Sequence, residues 1–100
     1  MKNINLKTVC VQGLGYVGSA TIAALSNAVN ENNKPIYNVI GIDLDTKEGI
    51  KRINSINNGK FPFGSQDKSL NQSIYKGRND NRVLATTKVS YFSKADIIVV

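Results

Sequence analysis

One hundred residues with 41% hydrophobic content suffice for one small domain with a modest core. No apolar run approaches the roughly 18 residues that a membrane-spanning helix needs, and a single cysteine excludes an internal disulfide. The net charge of +6 suits an anionic ligand or nucleic acid. The basic residues are scattered without a run or an aromatic-interleaved stripe, however, and read as solvated surface, so no nucleic-acid partner is expected.

Met1 to Lys7 is polar and leads straight into apolar sequence, leaving no room for a signal peptide; a cytoplasmic protein is expected. The first strand, from Thr8 to Gln12, is apolar on both faces apart from Gln12, the pattern of a central parallel strand. Cys10, between Val9 and Val11, is expected to be a buried, protonated and inert thiol. The strand stops at Gly13-Leu14-Gly15-Tyr16-Val17-Gly18, and an Ala-rich helical pattern runs from Tyr16 to Val29. Gly13 lets the chain reverse, Gly15 lets a phosphate approach bare backbone, and Gly18 lets the helix lie close to the strand. The N–H groups of the first helical turn and the helix dipole then face an anion. Ala20, Ala23, Ala24 and Ala28 are expected to thin the sheet-facing side, with Val17, Ile22 and Leu25 supplying bulk.

After a polar surface loop from Asn30 to Pro35, the second strand, Tyr37 to Ile42, ends on Asp43, twenty-five residues beyond Gly18. A carboxylate there can accept both ribose hydroxyls of an adenosine dinucleotide and repel a 2′-phosphate, which favours NAD over NADP. The glycine spacing alone is a weak signal, because an empty α/β turn with a solvated Asp has the same residues. Strand, glycines, helix, strand and acid in this order favour the dinucleotide site.

Asp45 and Thr46 can cap a second helix, with Glu48 placed as in a capping box, and Ile50, Ile53 and Ile56 facing the sheet until Gly59 stops it. Lys60-Phe61-Pro62-Phe63-Gly64 reads as a stiff loop whose rings pack. Ser65 to Lys76 is predicted as a weak helix with Leu70 and Ile74 on one face, ending at Gly77. Arg82 to Thr86 reads as a third strand, Tyr91 to Ala95 as a short helix, and Ile97 to Val100 as a buried strand. The alternation predicts an α/β, Rossmann-type parallel sheet in the order 3-2-1-4 with flanking helices. Four β-branched apolar residues end the chain, so the sheet is expected to be truncated at its C-terminal end. Residues 1–100 are then the N-terminal part of a dinucleotide-binding domain in a longer polypeptide.

The segment Cys10 to Gly18 resembles the opening of the UDP-glucose/GDP-mannose dehydrogenase family, in which a Gly-Leu-Gly-Tyr-Val-Gly turn is characteristic. The likeness continues in the family's order through Val39-Ile40-Gly41-Ile42-Asp43, Ile56-Asn57-Asn58-Gly59-Lys60, Ala85-Thr86-Thr87 and Ala95-Asp96-Ile97-Ile98. The resemblance implies an enzyme that oxidises the 6-hydroxyl of a nucleotide sugar to a carboxylate with two NAD⁺. A cysteine nucleophile, a lysine and acidic or amide side chains would do so from later segments, so no catalytic residue is expected in residues 1–100. It assigns Gly13, Leu14, Gly15, Tyr16, Val17 and Gly18 to the pyrophosphate turn, with Tyr16 and Val17 donating backbone N–H groups. Asp43 becomes the ribose acid, Lys47 the nearest cation for the adenosine end with Lys51 second, and Thr86 a threonine near the cofactor. Lys47 could equally be a solvated first-turn lysine, and Thr86 a simple strand former. Expected partners are a nucleotide sugar and further copies of the parent chain, with no membrane.

The chain departs from the family pattern in a longer Asn30–Pro35 loop and about one extra turn before Asn57. Only part of the family's Pro-rich loop survives in Phe61-Pro62-Phe63-Gly64, and Lys88 stands where an Asp commonly follows the Thr pair. These departures bear on the substrate branch more than on the cofactor. A non-catalytic dinucleotide-sensing module, or another NAD-dependent dehydrogenase, would show the same glycine turn and Asp43.

Overall fold

The computed structural model describes residues 6–100; the polar lead-in from Met1 to Asn5 lies outside the described residues. Four strands, β1 (Lys7–Gln12), β2 (Tyr37–Ile42), β3 (Val83–Thr86) and β4 (Ile97–Val99), form one sheet in the order β3-β2-β1-β4. Every pairing is parallel, with Cys10 opposite both Ile40 and Ile98. Three helices, α1 (Tyr16–Asn27), α2 (Lys47–Asn57) and α3 (Lys68–Asn79), connect β1 to β3, and a 3₁₀ helix at Val89–Lys94 connects β3 to β4. The predicted fold class and strand order are those observed.

Side chains alternate across the sheet, which divides the core in two. Val9, Val11 and Val39 point to the face covered by the helices, against Leu14, Ile22, Ile53, Ile56 and Ile74. Cys10, Ile40 and Ile42 point to the other face, under Tyr91, Phe92 and Ala95 of the 3₁₀ segment. Cys10 is fully buried, and burial pushes its thiol pKa up, as expected of an inert cysteine. No helix among the described residues is long and apolar enough to cross a membrane.

Several boundaries differ from the sequence expectation, each for a local reason. Helix α1 ends at Asn27 rather than Val29, because Asn30 accepts the N–H groups of Asn32 and Lys34 and reels the chain back. Val29 then pairs with Pro35 in an antiparallel bridge. The buried face of α1 is Ser19, Ile22, Ala23 and Ser26, while Ala24 and Val17 are exposed. The two hydroxyls tolerate burial because Ser19 donates to the Leu14 carbonyl at 2.9 Å and Ser26 to the Ser73 carbonyl at 3.1 Å.

Thr46 alone caps α2, accepting from Gly49 N–H at 3.0 Å; Glu48 sits one position too early to close a capping box with it. Gly77 does not stop α3 but lies inside it, where a Cβ would strike the side chains of Ser26 and Val83. The third strand starts at Val83 because Arg82 turns inward beneath it, donating to the Ser26 carbonyl at 2.9 Å. The helix expected at Tyr91 to Ala95 is a tighter 3₁₀ segment that starts two residues earlier, at Val89, and ends at Lys94. The fourth strand is not buried: Ile97 and Ile98 are 44% and 49% exposed, because among the described residues only β1 flanks it.

The Asn57 amide ties α2 to the sheet. It donates to the Ala85 carbonyl and accepts from Ala85 N–H, both at 2.9 Å, extending the β3 ladder through a side chain. Arg78 Nε donates to the Asn57 carbonyl at 3.0 Å and braces the same joint. Asn57→Ala is expected to cost about 2 kcal/mol by stranding both Ala85 groups. Urea unfolding checks this: the midpoint should fall with an unchanged slope, and an unmoved midpoint would refute the joint.

Candidate dinucleotide site

At the carboxyl end of β1 the chain must reverse within three residues to start α1. Gly13 does this with φ +88°, a left-handed conformation that glycine adopts without penalty, and its N–H donates to the Ile42 carbonyl at 2.8 Å. Gly15 is the extended N-cap of α1, with no side-chain cap and no acidic residue in the first turn. The first helical bond runs from Ser19 N–H to the Gly15 carbonyl at 2.9 Å. The helix therefore offers no acceptor to the N–H groups of Tyr16, Val17 and Gly18, which carry its positive dipole end. A Cβ built on Gly15 meets no heavy atom within 4 Å, whereas one on Gly18 would collide with the Gly13 carbonyl oxygen. Gly15 is thus the open approach to bare backbone, and Gly18 the close seat of the helix on the turn.

Asp43, at the end of β2, reaches back to this turn. Its Oδ2 accepts Leu14 N–H at 3.1 Å and its Oδ1 accepts Leu44 N–H at 2.7 Å, while its own N–H donates to the Thr86 carbonyl at 3.2 Å. Leu14 is itself fully buried; its contribution at the surface is backbone. A cleft of about 540 Å³ opens beside Asp43, lined by Gln12, Gly13, Ile42, Leu44, Thr87 and Phe92 among others. It lies beyond the carboxyl ends of the strands, where the connections change from one sheet face to the other between β1 and β4. Ligands of open α/β sheets bind at such a switch point.

The structure brings Gly13, Leu14, Gly15, Tyr16, Val17, Gly18 and Asp43 into one constellation. The side chains of two other expected residues, Lys47 and Thr86, do not line the cleft, although the Thr86 carbonyl accepts the Asp43 N–H. Lys47 is an exposed first-turn residue of α2 that does not line the cleft. The Thr86 hydroxyl accepts Lys88 N–H at 3.2 Å, and Thr87 faces the cleft in its place. The cation beside Asp43 is Arg52, with Nη1 3.8 Å from Asp43 Oδ2. Sequence proximity pointed to Lys47 and missed Arg52, because only the folded loop between β2 and α2 decides which turn of the helix comes back to the carboxylate. In the structure the Phe63 ring lies 5.5 Å from the Arg52 guanidinium, a contact that no local spacing announces.

The residues present fit a dinucleotide: backbone N–H groups without helical acceptors beside the open Gly15, and the Asp43 carboxylate next to them. The model for the NAD binding domain of the UDP-glucose/GDP-mannose dehydrogenase family matches residues 7–100. The chain belongs to this family. Its cofactor is NAD. The chain is 32% identical over 95 residues to UDP-N-acetyl-D-mannosamine dehydrogenase from Methanococcus vannielii, covering 95% of this chain and 18% of that protein. Over 59 residues it is 38% identical to the enzyme of the same name from Methanococcus maripaludis, 59% of this chain and 11% of the relative. The chain thus spans less than a fifth of the curated relatives it matches.

Solved structures agree. An NDP-N-acetyl-D-galactosaminuronic acid dehydrogenase from Methanosarcina mazei superposes with a TM-score of 0.79 over 97% of this chain and 19% of its own, at 23% identity, which shows the shared fold. A ternary complex of GDP-mannose dehydrogenase from Pseudomonas aeruginosa gives 0.61 over 80% of this chain and 15% of its own, at 30% identity.

Proposed function

We propose that this chain is the N-terminal part of the NAD-binding domain of a nucleotide-sugar dehydrogenase that oxidises the 6-hydroxyl of a UDP- or GDP-sugar to a carboxylate. The continuous family match over residues 7–100 carries this reading, and the open Gly15 approach beside Asp43 supports it. Bound NAD⁺ supplies the hydride acceptor. Within this chain, the N–H groups of Tyr16 and Val17 hold the pyrophosphate, Gly15 leaves the space it occupies, and Asp43 accepts the ribose hydroxyls. Leu14 and Leu44 N–H groups fix the Asp43 carboxylate for that role. The groups that handle the sugar are assigned to segments outside residues 1–100.

Converting a primary alcohol to a carboxylate removes four electrons, so two NAD⁺ are reduced per sugar. The relatives named for UDP-N-acetyl-D-mannosamine make an N-acetylated UDP-hexose the first substrate to test. The full-length protein is expected to form two NADH per sugar consumed from one of UDP-N-acetyl-D-mannosamine, UDP-glucose or GDP-mannose. A folded protein that forms no NADH from any nucleotide sugar contradicts the assignment, and one NADH per sugar contradicts the four-electron reaction.

A further inference from the structure

The segment Ile56 to Lys60 contributes no residue to the cleft, yet one of its side chains holds the strand that forms a wall of it. Helix α2 ends there in a fixed geometry. Ile56 is fully buried. Gly59 closes the helix in a left-handed conformation, φ +79°, with its N–H on the Ile56 carbonyl at 2.9 Å. From α3, Arg78 Nε donates to the Asn57 carbonyl at 3.0 Å and its Nη1 to the Val83 carbonyl at 2.8 Å. The Asn57 side chain is thereby aimed at Ala85, where it donates to the carbonyl and accepts the N–H, both at 2.9 Å.

Strand β3 has four residues and, among the described residues, β2 alone beside it. Short strand ends with one partner open locally. On the free edge of β3, Asn57 supplies the pair of hydrogen bonds that a neighbouring strand would supply. The next residue links this joint to the cleft. The Thr86 carbonyl accepts Asp43 N–H at 3.2 Å, its hydroxyl accepts Lys88 N–H at 3.2 Å, and Thr87 and Val89 line the cleft. Asp43 in turn accepts Leu14 N–H of the glycine turn at 3.1 Å.

We propose that Asn57 is a positioning residue for the dinucleotide cleft: by pairing with Ala85 on the free edge it holds the end of β3, and through it Asp43 and the wall at Thr87. This rests on the dinucleotide reading of the cleft. Asn57 touches no cofactor. Its loss lets the end of β3 fray, lowers the fraction of molecules with a formed cleft, and weakens NAD⁺ by that fraction.

Two measurements on the full-length protein and its variants test this: calorimetric titration with NAD⁺, and amide-resolved hydrogen exchange without it. Asn57→Ala should weaken NAD⁺ by about fivefold or more. It should also speed exchange of Asp43 N–H, held at the end of β3, by about tenfold more than that of Val39 N–H, which bonds the Arg82 carbonyl at the start of β3. Ile74→Val is the control, because Ile74 is buried under α3 and does not line the cleft. A purely structural loss of this kind should speed both amides equally and leave NAD⁺ affinity within about twofold of wild type. Arg78→Met, which loosens Asn57 without removing it, should move both readouts in the same direction by less, and it takes the place of Asn57→Ala if that variant does not fold. Equal acceleration of the two amides would make Asn57 a structural residue and overturn the proposal. Wild-type NAD⁺ affinity in a folded Asn57→Ala protein also overturns it, with the dinucleotide site intact. A folded wild type that binds no NAD⁺ removes the site itself and the proposal with it.

Discussion

Gly15→Val is expected to give a folded protein that no longer binds NAD⁺. The backbone at Gly15 is extended, with φ −62° and ψ −174°, which valine adopts without strain. The position of its Cβ meets no protein atom within 4 Å. Stability should therefore fall by only about 1 kcal/mol, the difference between a tolerated and a poor N-cap residue. On the proposed reading, a pyrophosphate lies in this open space to reach the N–H groups of Tyr16 and Val17. Filling it removes several charge-assisted hydrogen bonds at once, so affinity should drop by at least about a hundredfold. Thermal unfolding and an NAD⁺ titration on the same sample separate the two effects. Wild-type affinity in a folded Gly15→Val protein would show that no phosphate sits at the turn.

Gly18→Val should fail in the opposite way, by unfolding. A Cβ on Gly18 would overlap the Gly13 carbonyl oxygen and sit 3.0 Å from its carbon. The obstacle is backbone, fixed on one side by the left-handed Gly13 and by the Gly13 to Ile42 hydrogen bond. Neither the turn nor α1 can retreat without breaking the contacts of Ile22 and Ala23 with the sheet. We expect a loss of about 3 kcal/mol or more, beyond ordinary overpacking. For a domain of this size that lowers the melting temperature by roughly 12–24 °C. A Gly18→Val protein that melts with the wild type would mean that α1 is not seated on the turn. Two glycines three residues apart are thus predicted to separate function from fold.

What was legible in the sequence follows from where the information is local. The strand at Tyr37 to Ile42, the glycine turn and the strand order depend on apolar runs and on conformations that few residues other than glycine adopt. The face of α1 was misread because Ser19 and Ser26 look polar, yet each satisfies its hydroxyl on a nearby carbonyl and is buried. In sequence Gly77 reads as a stop, because a glycine serves equally as a helix end and as a close-packing site, and only the neighbouring Ser26 and Val83 distinguish them. The apolar run at Ile97 to Val100 implies burial, but burial depends on neighbours, and β4 has one among the described residues.

That Gly13 to Gly18 and Asp43 meet was legible because their spacing encodes a strand–turn–helix and the end of the next strand. The place of Arg52 was not legible. Its approach to Asp43 depends on how four loop residues fold and on where Phe63 lands. The loop from Lys60 to Gly64 was correctly read as packing, with Phe61 buried and Phe63 against the core. Its second role, placing a guanidinium beside the Asp43 carboxylate, needed the third dimension.

The most direct test of the central claim, that this turn is a dinucleotide site, is a calorimetric titration of NAD⁺ into the wild-type chain, with cooperative thermal unfolding as proof of fold. Saturable binding at one site per chain, lost in Gly15→Val, is the predicted result. A cooperatively folding wild type that gives no binding heat at any NAD⁺ concentration, across two temperatures, would contradict it.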